Sequence, residues 1–252
     1  MATVARNARE QLSTVTQHAG EKTDEGCILR CGQIQLWTGP LEVLFQPRLG
    51  TLAHVVTVNA EIFTLAHNDE QLRRILGRSL NTIDGRVVQG ICKLLYPGCK
   101  IVRHSGSNFI FNLAGFCVSH RERLFLLGSG GKANAWAVNR LRVEFPGLEV
   151  LGLSPPVQDY PFDQDWNEDI LKQIEQCRPH HLVVCFGPRK QEYWIHENSG
   201  RLTELGVRSA YGLGGTIDFL AGVKPRAPKW IQWVGSSGFS GWLASQADLA
   251  GR

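Results

Sequence analysis

The sequence predicts an α/β fold, in which helices flank a mostly parallel sheet. Short runs rich in apolar and β-branched residues, such as 54–59 and 181–186, are typical of buried strands. Longer segments with a helical spacing of apolar residues follow these runs, most clearly in the second half of the chain. This alternation favours parallel strands joined by crossover helices, a Rossmann-like arrangement.

The composition bounds the class of protein. With 252 residues, 43% of them hydrophobic, the chain can form one large domain or two close-packed halves. A net charge of +4 is too small to indicate nucleic acid, and no such partner is expected. The seven cysteines are scattered without CxxC spacing, which predicts reduced thiols in a cytosolic protein. No apolar run reaches the ~18 residues of a membrane-spanning helix.

The predicted elements follow one another from residue 54 to residue 221. Strands are predicted at 54–59, 100–104, 124–127, 149–153, 181–186 and 207–212. Helices are predicted at 60–76, 87–95, 109–117, 132–145, 167–177, 189–198 and 216–221. Residues 81–85 are predicted to form a loop, and residues 105–108 a turn.

The two ends of the chain differ from this middle part. Residues 1–26 are polar and without periodicity, which predicts a mobile N-terminal tail. Residues 223–252 form a short C-terminal appendage, in which Lys224, Arg226 and Lys229 stand beside several tryptophans. Basic residues next to amphipathic aromatics suit a membrane–water interface. A segment that docks on the core of the domain is the alternative interpretation.

Asp84 is the first candidate for chemistry. It is the only acidic residue between Glu70 and Glu122, and Gly85 after it allows a sharp turn of the backbone. An isolated carboxylate beside such a turn can serve as a general base. An Asp-Gly turn, or an N-cap of the helix that follows, would use the same residues without chemistry.

Polar or glycine-containing turns follow several predicted strands, at Asn59 and at 128–131, 187–191 and 214–218. In a parallel sheet the carboxyl ends of the strands meet at one edge, where ligands bind. At 128–131 a strand, a glycine loop and a helix follow one another, so backbone amides can face an anion. A plain tight turn is the alternative. The loop lacks the GxGxxG and Walker patterns, which argues against a dinucleotide-binding oxidoreductase.

Asp163 and Asp165 form an Asp-x-Asp triplet, a pattern with which some sugar-nucleotide enzymes hold a metal. Carboxylates at the start of a helix are the commoner case, because they complement the helix dipole. No metal site is therefore predicted.

Eight motifs in one order resemble the WecG/TagA/CpsF family, also called glycosyltransferase family 26, over roughly residues 41–234. They are Thr57-Val-Asn59-Ala-Glu61, Asp84-Gly85, Arg103-His-Ser-Gly106-Ser107, Leu127-Gly-Ser-Gly-Gly-Lys132, Pro155-Pro156, Gly187-Pro-Arg-Lys190-Gln191-Glu192, Gly214-Gly-Thr-Ile-Asp218-Phe-Leu-Ala-Gly222 and Arg226-Ala-Pro228-Lys-Trp230.

The resemblance implies an inverting, metal-independent glycosyltransferase that needs no cofactor. It would move N-acetylmannosamine, its uronic acid or glucose from a UDP-sugar to an undecaprenyl-diphosphate-linked sugar in cell-surface polysaccharide synthesis. The protein would be cytoplasmic and peripheral at the inner face of the plasma membrane, and a homo-oligomer is compatible with the resemblance. The glycosyltransferase domain would span 27–222, with an acceptor and base half at 27–120 and a nucleotide-sugar half at 121–222.

The resemblance also implies roles for particular residues. Asp84 is expected to take the proton of the acceptor hydroxyl, Thr57 and Asn59 to contact donor or acceptor, and Gln191 to line the sugar pocket. The leaving diphosphate needs positive charge and amide donors. The candidates for this stabilisation are Arg103, Lys132, Arg226 and the glycines Gly128, Gly130, Gly131, Gly214 and Gly215.

A second hypothesis is a non-catalytic family member that acts as a scaffold in an exopolysaccharide assembly complex. Residues 235–242 lack the arginines that the family usually has after its Arg-Ala-Pro-x-Trp motif, and this difference motivates the hypothesis. The presence of Asp84, Thr57, Asn59 and Gln191 favours the enzyme.

Overall fold

The computed structural model describes residues 21–23, 26–46 and 50–222. Its strands are β1 (Glu21–Thr23), β2 (Gly26–Cys31), β3 (Ile34–Trp37), β4 (Ala53–Val58), β5 (Leu80–Ile83), β6 (Leu124–Gly128), β7 (Val150–Leu153), β8 (His181–Cys185) and β9 (Ser209–Gly212). Its helices are α1 (Glu42–Phe45), α2 (Ala60–Asn68), α3 (Glu70–Arg78), α4 (Arg86–Leu95), α5 (Gly106–His120), α6 (Gly131–Glu144), α7 (Gln164–Cys177), α8 (Lys190–Glu197), α9 (Ser199–Glu204) and α10 (Thr216–Leu220).

The strands form one nine-stranded sheet in the order β1-β2-β3-β5-β4-β9-β8-β6-β7. Every pair from β3 to β7 in that order is parallel, whereas β1, β2 and β3 pair antiparallel. The predicted α/β fold with a mostly parallel sheet is therefore confirmed. The last strand, β9, lies between β4 and β8, so the carboxyl ends of these strands meet at the centre of the sheet.

The central strands are buried because helices cover both faces of the sheet. All residues of β6 and β8 are buried. Neighbouring residues of β4 face opposite sides: Val55 packs with α5 and α6, and Val56 packs with α2, α3 and α4. The alternation gives the domain its three layers, with apolar clusters above and below a continuous sheet.

Four local predictions in the first half are wrong. The helix predicted at 60–76 is two helices, since the Asp69 Oδ1 accepts the N–H of Leu72 and caps α3. The loop predicted at 81–85 contains β5, which pairs with β3 and β4. Residues 100–104 form no strand, although the N–H of His104 donates to Ile83 O at 2.8 Å. The turn predicted at 105–108 is the start of α5.

The N-terminal region also differs from the prediction. Residues 21–23, inside the predicted tail of 1–26, form β1 and pair with β2, so a tail is wrong for them. Residues 1–20 and the appendage at 223–252 lie outside the described residues. The division into halves at residue 120 stays a prediction. In the described ranges, no helix combines the length and the apolar character needed to span a membrane.

Candidate active site

Asp84 lies directly after β5, at the carboxyl edge of the sheet. Its N–H donates to Val58 O of β4 at 2.8 Å, and its Oδ1 accepts the N–H of Gly85 at 2.7 Å. Gly85 has a φ of 81°, which only glycine adopts without strain. The amide of Gly106, at the start of α5, also bonds to the carboxyl group. The carboxyl group therefore has a defined place, fixed by main-chain donors on two sides.

Burial raises the pKa of the Asp84 carboxyl above its ordinary value. The amides of Gly85 and Gly106 and the charge of Arg103 act in the opposite direction, but burial is the larger effect. A carboxylate with a raised pKa accepts a proton more readily than an exposed one. A fixed carboxyl group with a raised pKa is the kind of group that can act as a general base, and the N-cap interpretation is wrong, because the cap of α4 is Gly85.

Thr57 and Asn59 lie at the end of β4, beside Asp84. Thr57 is buried, and its Oγ1 donates to Gly212 O of β9 at 3.3 Å. The Asn59 Oδ1 accepts the N–H of Ile62 at 2.9 Å and caps α2. A Cβ on Gly85 would lie 4.0 Å from the Cβ of Asn59, which places this side chain against the Asp84 turn. Thr57 therefore joins strands, and Asn59 is the one nearer to the base.

Gln191 and Glu192 form the floor of the same edge, at the start of α8. The Gln191 Oε1 accepts the N–H of Gly214 at 3.1 Å, and its Nε2 donates to the Glu192 Oε1 at 2.7 Å. Both side chains are buried, and burial raises the pKa of Glu192 to about 7. A Cβ on Gly212 would approach the Glu192 Oε1 to 2.9 Å, so a larger residue at this strand end would displace the Gln191 and Glu192 side chains.

The glycine loop after β6 opens on the other side of the centre. Gly128 has a φ of 105°, and a Cβ there would lie 2.6 Å from Cys185 O, so the loop and β8 approach too closely for a side chain. Gly130 precedes α6 without a side-chain cap. Among the described residues, a Cβ on Gly130 or Gly131 would meet nothing within 4 Å, and both glycines are exposed, so no described residue covers the start of α6. An anion could approach these amides.

Gly214 and Gly215 connect the two sides. A Cβ on either would meet nothing within 4 Å in the part of the chain that the structure describes, so no described side chain fills this turn. A Cβ on Gly106 would lie only 2.6 Å from Thr216 Oγ1, so the starts of α5 and α10 are in direct contact. Through Gly106 the Asp84 carboxyl is thereby linked to the turn that bonds Gln191.

The predicted cations fare differently. Arg103 is half-buried and close enough for its charge to act on Asp84. Lys132 is exposed on the first turn of α6, at the glycine loop. Arg226 lies outside the described residues.

The Asp-x-Asp triplet belongs to a helix start. The Asp163 Oδ1 accepts the N–H of Trp166 at 2.9 Å and caps α7, while Asp165 is exposed. Among the residues of known placement, no three His, Cys, Asp or Glu side chains form a group that could hold a metal ion.

Sequence reasoning missed four polar residues of this edge. Ser129 and Asp218 join the glycine loop to α10 through a hydrogen bond from Ser129 Oγ. Asn134 is buried, and its Nδ2 donates to Leu126 O, Gly128 O and Leu153 O. Glu192 could have been found from its place three residues before Ile195, on a buried helix face.

The fold and the site define an α/β enzyme with a basic carboxylate on one side of a central strand and open glycine turns on the other. The family model described as the glycosyl transferase WecG/TagA/CpsF family matches residues 42–240. The chain belongs to this family, and the predicted family and enzyme class are confirmed.

Three relatives are similar to the chain over about 70% of its length. They come from Bacillus spizizenii (27% identity; 72% of this chain, 69% of the relative), Bacillus subtilis (28%; 71% and 66%) and Staphylococcus aureus (25%; 69% and 65%). Each is named an N-acetylglucosaminyldiphosphoundecaprenol N-acetyl-beta-D-mannosaminyltransferase. The chain thus spans about two thirds of the length of these relatives.

Proposed function

We propose that the protein transfers a sugar from a UDP-sugar to a sugar carried on undecaprenyl diphosphate. The observation that carries the proposal is the Asp84 carboxyl, fixed by two amides and raised in pKa at the centre of the carboxyl edge. The family and the names of the relatives support the reaction class and the polyprenyl-linked acceptor. Those names also favour N-acetylmannosamine over its uronic acid or glucose as the sugar.

Asp84 acts on the acceptor. A sugar hydroxyl is a weak nucleophile, so its proton must leave as its oxygen bonds to the anomeric carbon of the donor. The Asp84 carboxylate takes that proton, the bond to the UDP oxygen breaks, and UDP leaves from the opposite face. One such displacement inverts the anomeric centre. General-base catalysis of this kind typically contributes ~10²–10⁴-fold in rate.

The glycine turns act on the leaving diphosphate. The open amides at Gly130 and Gly131 and the Lys132 ammonium offer hydrogen bonds and charge at one loop, and Gly214 and Gly215 form a second open turn. These donors stabilise the growing negative charge on the UDP oxygens, together with Arg103. We propose that they replace a metal ion in this role, because Asp163 is already used as a helix cap.

The acceptor lipid places the reaction at a membrane. We propose that the protein works as a peripheral protein on the inner face of the plasma membrane, where both substrates can reach it. The scaffold hypothesis rests on residues 235–242, which lie outside the described residues, so no structural observation favours it.

The test is UDP release from a panel of UDP-sugars, with a sugar-diphosphate acceptor on a short alkyl chain, with and without EDTA. We expect release that survives EDTA and falls ~10²-fold or more in Asp84→Asn. Asp169→Asn, on the exposed face of α7, is the matched control and should retain full activity. Full activity of Asp84→Asn would overturn the base assignment. Loss of activity with EDTA would overturn metal independence.

A further inference from the structure

The helix that follows Asp84 has three distinct faces. In α4, Val88 and Cys92 are buried against the core. The residues Val87, Ile91 and Leu94 share a second face by their spacing of four and three residues. This second face is apolar and outward: Ile91 is 38% and Leu94 80% exposed. The third face is polar and is formed by Arg86, Gln89, Gly90 and Lys93.

An apolar groove runs along the second face, between α2 and α4. Its volume is about 490 Å³. Phe63 of α2 lines one wall, and Val87 and Ile91 of α4 line the other. Arg73 also borders the groove, but its guanidinium donates to Ala66 O and His67 O. The groove therefore offers hydrocarbon contacts.

A cationic pocket of about 600 Å³ lies along the third face. Arg86, Lys93 and Arg103 line it, and none of the described residues that line it is acidic. Arg86 and Lys93 are exposed, and neither forms an ion pair with any residue whose placement is described. These charges are available to an anionic ligand.

Both cavities are lined by residues that lie close to Asp84 in space or in the sequence. Arg103 of the cationic pocket acts on the Asp84 carboxyl, and α4 starts two residues after Asp84. Ala60, which lines the apolar groove, directly follows Asn59. A ligand that reacts at Asp84 thus has the cationic pocket on one side and the apolar groove on the other.

We propose that α4 binds the lipid part of the acceptor, an inference that rests on the proposed function. The diphosphate of the acceptor lies in the cationic pocket at Arg86 and Lys93, while Arg103, which acts on Asp84, keeps its role toward the UDP oxygens. The first isoprene units lie in the groove between Phe63 and Ile91. The exposed Leu94, on the same apolar face of α4, faces the bilayer. The occupant is chosen by charge complementarity, since phosphate and hydrocarbon in one molecule match the two cavities.

Chain length separates the two cavities in an experiment. Two acceptors carry the same sugar and diphosphate, one on a long polyprenyl chain in micelles and one on a three-carbon alkyl chain. We expect Val87→Ser/Ile91→Ser to lower kcat/KM about tenfold for the long-chain acceptor and to leave the short-chain value unchanged. Val143→Ser, a substitution of a 71% exposed residue on α6, is the control and should change neither value.

A substitution in the cationic pocket should affect the long-chain and the short-chain acceptor alike. Lys93→Gln should raise KM about tenfold for both acceptors, because both carry the diphosphate. Lys172→Gln, on the exposed face of α7, is the matched control and should leave KM unchanged.

Binding without the donor distinguishes the outcomes. Wild-type protein should bind nanodiscs that contain polyprenyl diphosphate more tightly than nanodiscs without it, and the double variant should show a weaker preference, because only the cationic pocket remains. Binding without turnover would contradict the proposed function and support the lipid site. Turnover with equal losses for long-chain and short-chain acceptors would overturn the lipid site. A changed oligomeric state of the double variant would also overturn it, because a second copy would then occupy the groove.

Discussion

The carboxyl groups at the two edges of the sheet have pKa values that are shifted in opposite directions. At the amino edge, Glu122 contacts both His181 and Arg208, and these partners lower its pKa despite its burial. At the carboxyl edge, Asp84 and Glu192 have raised pKa values, because burial there exceeds the effect of their hydrogen bonds. The Glu192 Oε2 has no hydrogen-bond partner in the described part of the chain.

The difference separates stability from chemistry. A carboxylate that is paired with an arginine and hydrogen-bonded to a histidine stabilises the fold and cannot readily exchange a proton. A carboxylate held by amides at raised pKa is available to a substrate, at some cost in stability. The comparison predicts that substitutions at the two edges have opposite effects on activity and on the free energy of unfolding.

The largest expected effect is on turnover at the carboxyl edge. Asp84→Asn should lower kcat by ~10²-fold or more and leave the free energy of unfolding at pH 7 equal or higher, because a buried charge is removed. Steady-state kinetics and urea unfolding measure the two quantities on one preparation. A stability loss above about 1 kcal/mol would show that Asp84 is mainly structural.

The pH dependence of the free energy of unfolding tests the raised pKa of Glu192. The pKa of Glu192 is about 7 in the fold and lower when unfolded, so the folded state binds its proton more tightly. Its contribution therefore favours folding at low pH and is lost as the pH rises from about 4.5 to 7. Glu192→Gln should remove this slope, on the order of 2–3 kcal/mol, in urea unfolding at pH 5 and pH 8. The same pH dependence of the free energy of unfolding in Glu192→Gln and in the wild type would contradict the raised pKa of Glu192.

The amino edge should show the reverse of Asp84→Asn. Glu122→Gln removes the negative partner of Arg208 and His181 and should lower the free energy of unfolding by about 2 kcal/mol. Since the lowered pKa of Glu122 stabilises the fold above the ordinary pKa and less as pH falls, the loss should be greatest at neutral pH. Activity per folded molecule should not change. A fall in kcat would contradict the purely stabilising role of Glu122.

The smallest effect separates backbone strain from chemistry. Gly85 and Gly50 have similar positive φ values, 81° and 78°, and a Cβ has room at both. Alanine at either should cost about 1–3 kcal/mol of stability, because L residues rarely adopt these backbone conformations. Only Gly85→Ala should also lower kcat, because the turn holds Asp84. Equal kcat values in the two variants would show that the turn tolerates displacement.

Much of the fold could be predicted from local patterns. The strands β4, β6 and β8 are rich in apolar and β-branched residues, and the helices after them have regular spacing. β5 was missed because it is short and half polar; Asn81 is buried there only because its Nδ2 donates to Gln35 O and Leu76 O. The break at Asp69 was readable as an N-cap signal inside a long apolar pattern.

The candidate site was predictable in its residues but not in its arrangement. Asp84, Asn59 and the glycine turns all lie at the carboxyl edge, where parallel strands end. Glu192 was not identified, because a glutamate in the first turn of a helix is ordinarily exposed. Its spacing of three residues from Ile195 was the local sign of a buried face, but its neighbour Gly212, where a Cβ would lie 2.9 Å from the Glu192 Oε1, belongs to a distant strand.

The sequence by itself determined the α/β class, the isolated carboxylate and the family, because hydrophobic period, glycine turns and motif order are properties of neighbouring residues. Only the tertiary structure decided that β9 lies between β4 and β8, and so that Thr57 bonds Gly212 across 155 positions of the chain. It also decided which carboxyl groups are basic. Burial and partners set a pKa, and both come from residues that the fold, not the chain order, brings together.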